Sequence, residues 1–273
     1  MTTRIAPIVE LIAELRWQPD GLATAVSSAP FMQPMLANPG GAFEEFFMRF
    51  GVAATAAGHG EVERLVPSGF PLLPHHAVYR FKSKNNEGLA TSIFQIGPGL
   101  LTINAIPPYG SWGEFREIVV KGIEAMLGTR ADAHRDLPIT AISIRYVDAF
   151  VDHHTGGRSV DAFLRDILGF GLTLPAGLAE CLNAGADPKP VVQFQIPMSD
   201  ARVMNIGIGE GLVNGRHAIM MDQSISKASE IAPAAEAIMA FMDPAQRAIH
   251  NSFVKITTPI HDTLPVAATK YVD

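Results

Sequence analysis

The sequence predicts an α+β fold built on a twisted, mainly antiparallel sheet with helices packed on one face. Several segments alternate apolar and polar residues, which is the pattern of strands with one buried face. Short turn sequences separate neighbouring strand segments, and Asn214-Gly215 in particular favours a two-residue hairpin. Helical segments do not alternate regularly with strands, so the pattern does not indicate parallel β-α-β units.

The first half of the chain is predicted to contain five strands and two helices. The predicted strands are 8–17, 61–66, 77–84, 89–97 and 100–106. Phenylalanines at helical spacing indicate a helix at about 42–57. Ser111 followed by Glu114 has the spacing of a capping box, so a second helix is expected to run from there to Gly128.

The rest of the chain is predicted to contain four strands and three longer helices. The predicted strands are 139–151, 190–197, 202–213 and 216–226, and the helices are at about 160–168, 231–242 and 244–256. Asp243-Pro244 indicates the start of the last helix, because Asp is a good cap and proline suits the first helical position. We expect a single α+β domain over 1–273 with subregions 1–151 and 152–273. The order of elements also suggests two related halves, although no sequence repeat is apparent.

Composition restricts the class of function. The chain has 273 residues, of which 48% are hydrophobic and 18% charged, which is typical of a globular protein. Its net charge of −6 argues against nucleic-acid partners, which require a basic face. The single cysteine fits a reducing compartment. There is no signal-peptide pattern and no apolar run of about 18 residues, so we expect a cytoplasmic protein without membrane contact.

Four strings in this order resemble a family of bacterial proteins of about this length. They are PIVELIAELRW at 7–17, FQIGPGLLTINAIPPYGSWGEFR at 94–116, IRYVDAF at 144–150 and FMDPAQRAIHNSF at 241–253. The specific part is the FQxGPG…N…PPYxxWxEFR signature. Members of this family occur sporadically across distant lineages and are described as uncharacterised, so the resemblance implies no activity or cofactor. Sporadic occurrence implies an accessory or defence role, with a protein partner encoded nearby.

Polar residues on the second faces of the strands form a predicted polar surface. Its candidate binding residues are Glu10, Glu14, Arg16, Arg80, Arg145, Asn205 and Asp222. Simple solvent exposure is the alternative interpretation, since antiparallel sheets often face water on one side. We favour a non-catalytic binding or partner protein that acts through this surface or another protein–protein contact. No cofactor is expected, and a homodimer is compatible with the sequence.

Two histidine pairs support an alternative hypothesis of a metal-assisted enzyme. The candidate ligands are His75, His76, Asp152, His153 and His154. Neighbouring side chains on an extended strand point to opposite faces, so neither pair is expected to bind one ion alone. A site would require one histidine from each pair together with Asp152. The sequence contains no nucleophile or nucleotide-binding motif, and it leaves open whether the protein is an enzyme.

Overall fold

The computed structural model describes residues 7–19, 40–107, 111–183, 186 and 188–264. The strands are β1 (Ile8–Trp17), β2 (Glu61–Arg64), β3 (Tyr79–Lys84), β4 (Ala90–Gly97), β5 (Leu100–Ala105), β6 (Ile139–Phe150), β7 (Val192–Pro197), β8 (Arg202–Val213) and β9 (Arg216–Lys227). The α-helices are α1 (Gly40–Ala56), α2 (Trp112–Thr129), α3 (Asp152–Thr155), α4 (Val160–Asp166), α5 (Ala176–Ala179) and α6 (Ala235–Ile256). Two short 3-10 helices cover Asp132–His134 and Thr258–Thr263.

Within this part of the chain, nine strands form one antiparallel sheet in the order β2-β3-β4-β5-β1-β6-β9-β8-β7. The predicted α+β class is therefore confirmed. Contacts divide the chain into two compact units. We call Leu11–Ile144 with Ser226–Pro244 the N-terminal unit, and Arg145–Ile225 with Met1–Glu10 and Ala245–Asp273 the C-terminal unit. In the described ranges, no helix is both long enough and apolar enough to cross a bilayer.

The core of the N-terminal unit lies between two helices and one face of the sheet. Phe81, Phe94 and Ile103 are buried on this face. Phe50 of α1 packs against the rings of Phe81 and Phe94, with centroid separations of 5.4 and 6.3 Å. Gly122 allows α2 to lie close to β5, since a Cβ there would lie 2.8 Å from Cδ1 of Ile103. The alternation that buries these residues directs the polar residues of the same strands to the opposite face.

The C-terminal unit has an aromatic core and a tight hairpin. Phe150 at the end of β6 contacts the rings of Phe163 and Phe253, with centroid separations of 5.2 and 6.2 Å. Asn214 and Gly215 join β8 to β9 with φ values of 52° and 75°. Both are left-handed, as a type I′ turn requires, so the hairpin predicted from this dipeptide is confirmed.

The prediction of two C-terminal helices separated at Asp243-Pro244 is wrong. α6 is continuous, and Pro244 lies inside it. A proline inside a helix costs about 3 kcal/mol, but the buried stripe of α6 runs through it without interruption. The buried positions on this stripe include Ile238, Met242, Ala245, Ile249 and Phe253. Burial along the whole helix offsets the lost backbone hydrogen bond, so the local sequence signal does not end the helix.

Asp243 has a tertiary role instead of capping a helix. Its Oδ1 accepts a hydrogen bond from the indole N–H of Trp112 at 3.0 Å. Arg116 donates from Nε to Oδ1 at 3.0 Å and from Nη2 to Oδ2 at 3.2 Å. Two of the strings that carry the family resemblance, 94–116 and 241–253, therefore meet in one clasp between α2 and α6. The predicted helix cap is confirmed, because the Glu114 N–H donates to Ser111 Oγ at 3.2 Å.

Candidate functional site

One row of polar residues crosses the five strands β1 to β5. Glu63 of β2 lies opposite Arg80 of β3, and Arg80 lies opposite Gln95 of β4. Gln95 lies opposite Thr102 of β5, which lies opposite Glu14 of β1. Neighbouring strands are about 4.8 Å apart, so this polar row is roughly 19 Å long. It lies on the side of the sheet away from α1 and α2.

Hydrogen bonds connect the polar row, but those of Arg80 are long. Arg80 Nη1 donates to Glu63 Oε2 at 3.3 Å, and Nη2 donates to Gln95 Oε1 at 3.4 Å. Arg80 Nε is buried without a hydrogen-bond partner. Gln95 Nε2 donates onward to Thr102 Oγ1 at 3.1 Å. Charge-assisted N–H···O bonds are usually about 2.7–2.9 Å long, so the donors of this guanidinium are only weakly satisfied.

A second row beside the polar row adds charges of both signs and a buried amide. Glu61 of β2 lies opposite Lys82 of β3. Lys82 lies opposite Ile93 of β4, which lies opposite Asn104 of β5. Lys82 Nζ lies 2.9 Å from Glu63 Oε2 and 3.6 Å from Glu61 Oε1. The hydrogen bond from Lys82 lowers the pKa of Glu63 and raises the pKa of Lys82. Both groups are therefore charged at neutral pH. Together, the two rows form what we call the polar face.

The centre of the polar face is withdrawn from solvent. Thr102 and Asn104 are only 8% and 4% exposed. Thr102 Oγ1 donates to Asn104 Oδ1 at 3.1 Å, and Gln95 Nε2 approaches the same oxygen at 3.5 Å. Short side chains on a central strand lie below longer flanking ones such as Gln95 and Glu14. The result is a floor of hydroxyl and amide groups bordered by charged side chains.

The His75-His76 pair lies at one end of this face and stabilises the turn between β4 and β5. The backbone N–H of His75 donates to Pro98 O at 2.8 Å, and its Nδ1 donates to Gly99 O at 3.0 Å. His76 Nδ1 donates to Pro74 O at 2.9 Å. A carbonyl only accepts, so Nδ1 carries the proton in both rings. The chain at His76 crosses Gly97 so closely that a Cβ there would overlap its carbonyl oxygen.

The predicted binding residues fall in both units. Glu14, Arg16 and Arg80 belong to the N-terminal unit, where Arg16 Nε donates to Glu14 at 2.7 Å. In the C-terminal unit, Arg145 Nε donates to Asp222 Oδ1 at 2.8 Å, and Nη2 of the same guanidinium contacts Oδ2. That guanidinium and carboxylate already satisfy each other in a bidentate pair.

The other two predicted residues of the C-terminal unit have simpler positions. Asn205 lies on β8 opposite Gln195 of β7. Glu10 is half-buried near the start of β1. Neither position offers a constellation comparable to the polar row, so the N-terminal unit contains the better candidate site.

The side chains of the second pair, His153 and His154, do not point to opposite faces, as an extended strand would require. Asp152, His153 and His154 lie in α3, one helical turn, and the two imidazole rings are 3.7 Å apart. His154 Nδ1 accepts the Val151 N–H at 3.2 Å, so Nε2 carries its proton. Burial, and then the charge of His153, lower the pKa of His154 to about 4. The expectation of divergent side chains is wrong because this segment is helical rather than extended.

The metal hypothesis gains no ligand set from this arrangement. His75 and His76 belong to the N-terminal unit, whereas Asp152, His153 and His154 belong to the C-terminal unit. Among the described residues, no three His, Cys, Asp or Glu side chains are grouped so that they could hold a metal ion.

Sequence reasoning missed the residues at the centre of the polar face. Gln95, Thr102 and Asn104 were not among the predicted site residues. Their alternation with buried Phe94 and Ile103 was the signal that could have identified them, because it places them on the polar side of β4 and β5. Without the register, however, nothing indicated that they align with Arg80.

Sequence reasoning also missed two buried polar residues in the C-terminal unit. Asp148 on β6 and Gln223 on β9 are 1% and 0% exposed, and these two strands are neighbours in the sheet. Asp148 Oδ1 and both amide atoms of Gln223 have no hydrogen-bond partner. Burial, and then the Asp222 carboxylate, raise the pKa of Asp148 to about 8.

Comparison with known proteins adds no family to this geometry. No protein-family model matches the chain, and a search of curated proteins gave no significant match.

Proposed function

We propose that this is a non-catalytic binding protein whose polar face holds a carboxylate-bearing segment of a protein partner. The observation that carries the proposal is the weak satisfaction of Arg80. Its two Nη atoms make hydrogen bonds of 3.3 and 3.4 Å, and its buried Nε makes none. A guanidinium fork matches a carboxylate in a bidentate geometry. The side chain of Arg80 is 33% exposed, so an incoming carboxylate would supply short hydrogen bonds to its Nη atoms.

The rest of the polar face suits a peptide better than a simple anion. Gln95 and Thr102 offer amide and hydroxyl groups, which can pair with the N–H and C=O groups of an extended chain. Glu61, Glu63 and Lys82 border this floor with charges of both signs. A mixed border discriminates between partner sequences, because like charges brought together are unfavourable. The ligand class is thus a polar, acid-containing peptide segment.

The biological setting follows from the sequence-based expectations. We infer an accessory or defence-related role in the cytoplasm, with a protein partner encoded nearby. The net charge of −6 favours a protein over a nucleic-acid partner.

We also infer that the two halves of the chain are related. In 1–151 the order is β1-α1-β2-β3-β4-β5-α2-β6, and in 152–273 it is α3-α4-α5-β7-β8-β9-α6. Each half thus contains a helix, then a block of adjacent strands and then a long helix. This parallel in element order supports the inference.

Short peptides that differ in one residue provide the test. Thermal-shift and NMR titrations would compare Glu- or Asp-containing peptides with their Gln or Asn counterparts, using the wild type and Arg80→Gln. We expect saturable binding of acidic peptides to the wild type only, weakening as salt rises. Arg135→Gln is the matched control, because Arg135 is an exposed arginine of the same unit that pairs with Asp132.

Two results would count against the proposal. The first is equal binding by Arg80→Gln and the wild type, and the second is no preference for acidic over amide peptides. Metal analysis of protein purified without a histidine tag tests the alternative. A stoichiometric metal would favour the metal-assisted enzyme.

A further inference from the structure

Among the described residues, no strand pairs with the outer edge of β7, and much of the surface of this strand is exposed. It is the last strand in the sheet order and pairs on its inner side with β8, where Phe194 lies opposite Ile206 and Ile196 lies opposite Met204. Ile206 and Met204 are buried, whereas Phe194 and Ile196 are 39% and 43% exposed. Phe170 stacks on Phe194 with ring centroids 5.1 Å apart.

β7 lacks the features that usually protect an edge strand. Charged side chains, short length or proline normally prevent edge-to-edge pairing. Val192–Ile196 has no charge, and Pro197 stands only at its end. β2, the other terminal strand of the order, has only four residues, and three of them are charged. The contrast indicates that β7 is an edge available for pairing.

The sequence of β7 is complementary to itself. Val192-Gln193-Phe194-Gln195-Ile196 has the same residue classes when read outward in either direction from Phe194. In an antiparallel pair with a two-fold axis at this residue, Phe194 lies opposite the partner's Phe194. Val192 then lies opposite the partner's Ile196, and Gln193 lies opposite the partner's Gln195. Aromatic and β-branched pairs stabilise sheets, and no like charges meet.

We propose that two copies of this chain dimerise by antiparallel pairing of their β7 strands about Phe194. The interface is isologous, as a two-fold dimer requires. It is independent of the proposed function, which uses the polar face of the N-terminal unit. One pair of five-residue segments buries less than the roughly 1,200–2,000 Å² of stable complexes. The dimer should therefore dissociate in the micromolar range.

Sedimentation velocity from low micromolar to several hundred micromolar protein tests the proposal. The wild type should shift from monomer to dimer mass over this range. Phe194→Lys should remain monomeric, because it places like charges opposite each other at the axis. Val62→Lys is the matched control, since Val62 is 53% exposed on β2. Val62 also lines an open apolar groove of about 440 Å³, together with Met48 and Val52.

Disulfide trapping gives a second measurement that does not depend on the fold of the lysine variant. Directly opposed residues of antiparallel strands have Cα atoms about 4.5–5.5 Å apart, within the usual disulfide range of about 4.4–6.8 Å. Phe194→Cys in a Cys181→Ser background, which removes the exposed native thiol, should form a covalent dimer on mild oxidation. Val62→Cys in the same background should not.

Three results would overturn the proposal. One is a wild type that stays monomeric at every concentration, even if β7 then binds a foreign strand. Another is equal cross-linking at Phe194→Cys and Val62→Cys. The third is loss of the dimer in Val62→Lys but not in Phe194→Lys, which would place the interface at the apolar groove instead.

Discussion

Among the residues that the structure describes, Asp148 has the chemistry that departs furthest from that of its free side chain. It lies on the buried face of β6, and burial, with a smaller contribution from Asp222, raises its pKa to about 8. At neutral pH the side chain is therefore mostly protonated. Like asparagine, it is then a neutral polar side chain, and it has one O–H donor and remaining acceptor capacity. Gln223 on the neighbouring strand is equally buried, so this part of the C-terminal core contains two neutral polar side chains.

Asp148→Asn should stabilise the protein at high pH. The folded-state pKa of Asp148 lies above its ordinary value of 3.8, so the folded state binds more protons than the unfolded state between these values. The free energy of unfolding therefore falls as pH rises from about 4 to about 8. The side chain of the variant does not titrate, so its stability does not fall in this way. At about pH 8 its free energy of unfolding should exceed that of the wild type by on the order of a few kcal/mol.

Urea unfolding of both proteins at about pH 5 and about pH 8 measures this difference. The advantage of the variant should be much smaller at the lower pH. An equal advantage at both pH values would mean that Asp148 does not titrate as its burial requires.

Gly97 and Gly128 should respond in opposite directions to alanine. A Cβ at Gly97 would overlap the backbone of His76, which cannot move without breaking the β4–β5 turn. We expect Gly97→Ala to cost more than about 3 kcal/mol of unfolding free energy. Gly128 lies in α2, and a methyl group added there would meet no atom within 4 Å. Gly128→Ala should stabilise by about 0.5–1 kcal/mol, and chemical denaturation of each variant checks both signs.

At the scale of elements, the clasp at Asp243 joins α2 to α6. Removing the carboxylate breaks the hydrogen bonds from Trp112 and the bidentate pair with Arg116. We expect Asp243→Ala to lower the free energy of unfolding by about 2 kcal/mol, since hydrogen bonds to charged groups contribute about 1.5–3 kcal/mol. Partial exposure of the pair limits the loss.

Asp132→Ala is the control for the clasp. Asp132 pairs with Arg135 in an exposed ion pair three residues apart. Asp132→Ala should lower the free energy of unfolding by less than about 0.5 kcal/mol. Similar losses in the two variants would show that Asp243 contributes no more than a surface ion pair. Guanidinium denaturation at constant pH separates the two outcomes.

For the whole molecule, three buried titratable groups predict a stability maximum near pH 6.5. Burial lowers the pKa of His59 and of His154 from 6.5 to about 4. At these two histidines the unfolded state therefore binds more protons than the folded state between these pH values. Together they outweigh the opposite contribution of Asp148, so stability rises with pH up to about 6.5. Above that pH, the raised pKa of Asp148 makes stability fall until about pH 8.

Thermal unfolding across this pH range measures the predicted profile. The melting temperature should rise on the acid side, pass through a maximum and decline toward about pH 8. Asp148→Asn should remove the decline and make the acid limb steeper, because Asp148 no longer opposes the two histidines. His154→Asn should flatten the acid limb, because the contribution of His59 is then offset by that of Asp148. A profile that rises steadily to about pH 8 would contradict the burial of Asp148.

Local patterns in the sequence were sufficient to predict most elements. Period-two alternation predicted the strands, because the pleat alone sets that period. Asn214-Gly215 predicted the hairpin because two successive left-handed residues strongly favour this turn. Ser111 predicted the start of α2 through a cap confined to one helical turn. Each of these depends on residues close together in the chain.

The tertiary structure decided everything that depends on which strands are neighbours. Strand order and register place Arg80 between Glu63 and Gln95, and they leave β7 at an edge. Burial along a continuous stripe carries α6 through Pro244 against a local stop signal. Burial also makes Asp148 a neutral side chain. Such outcomes arise from the balance between desolvation, packing and pairing of distant segments, and that balance exists only once the sheet has formed.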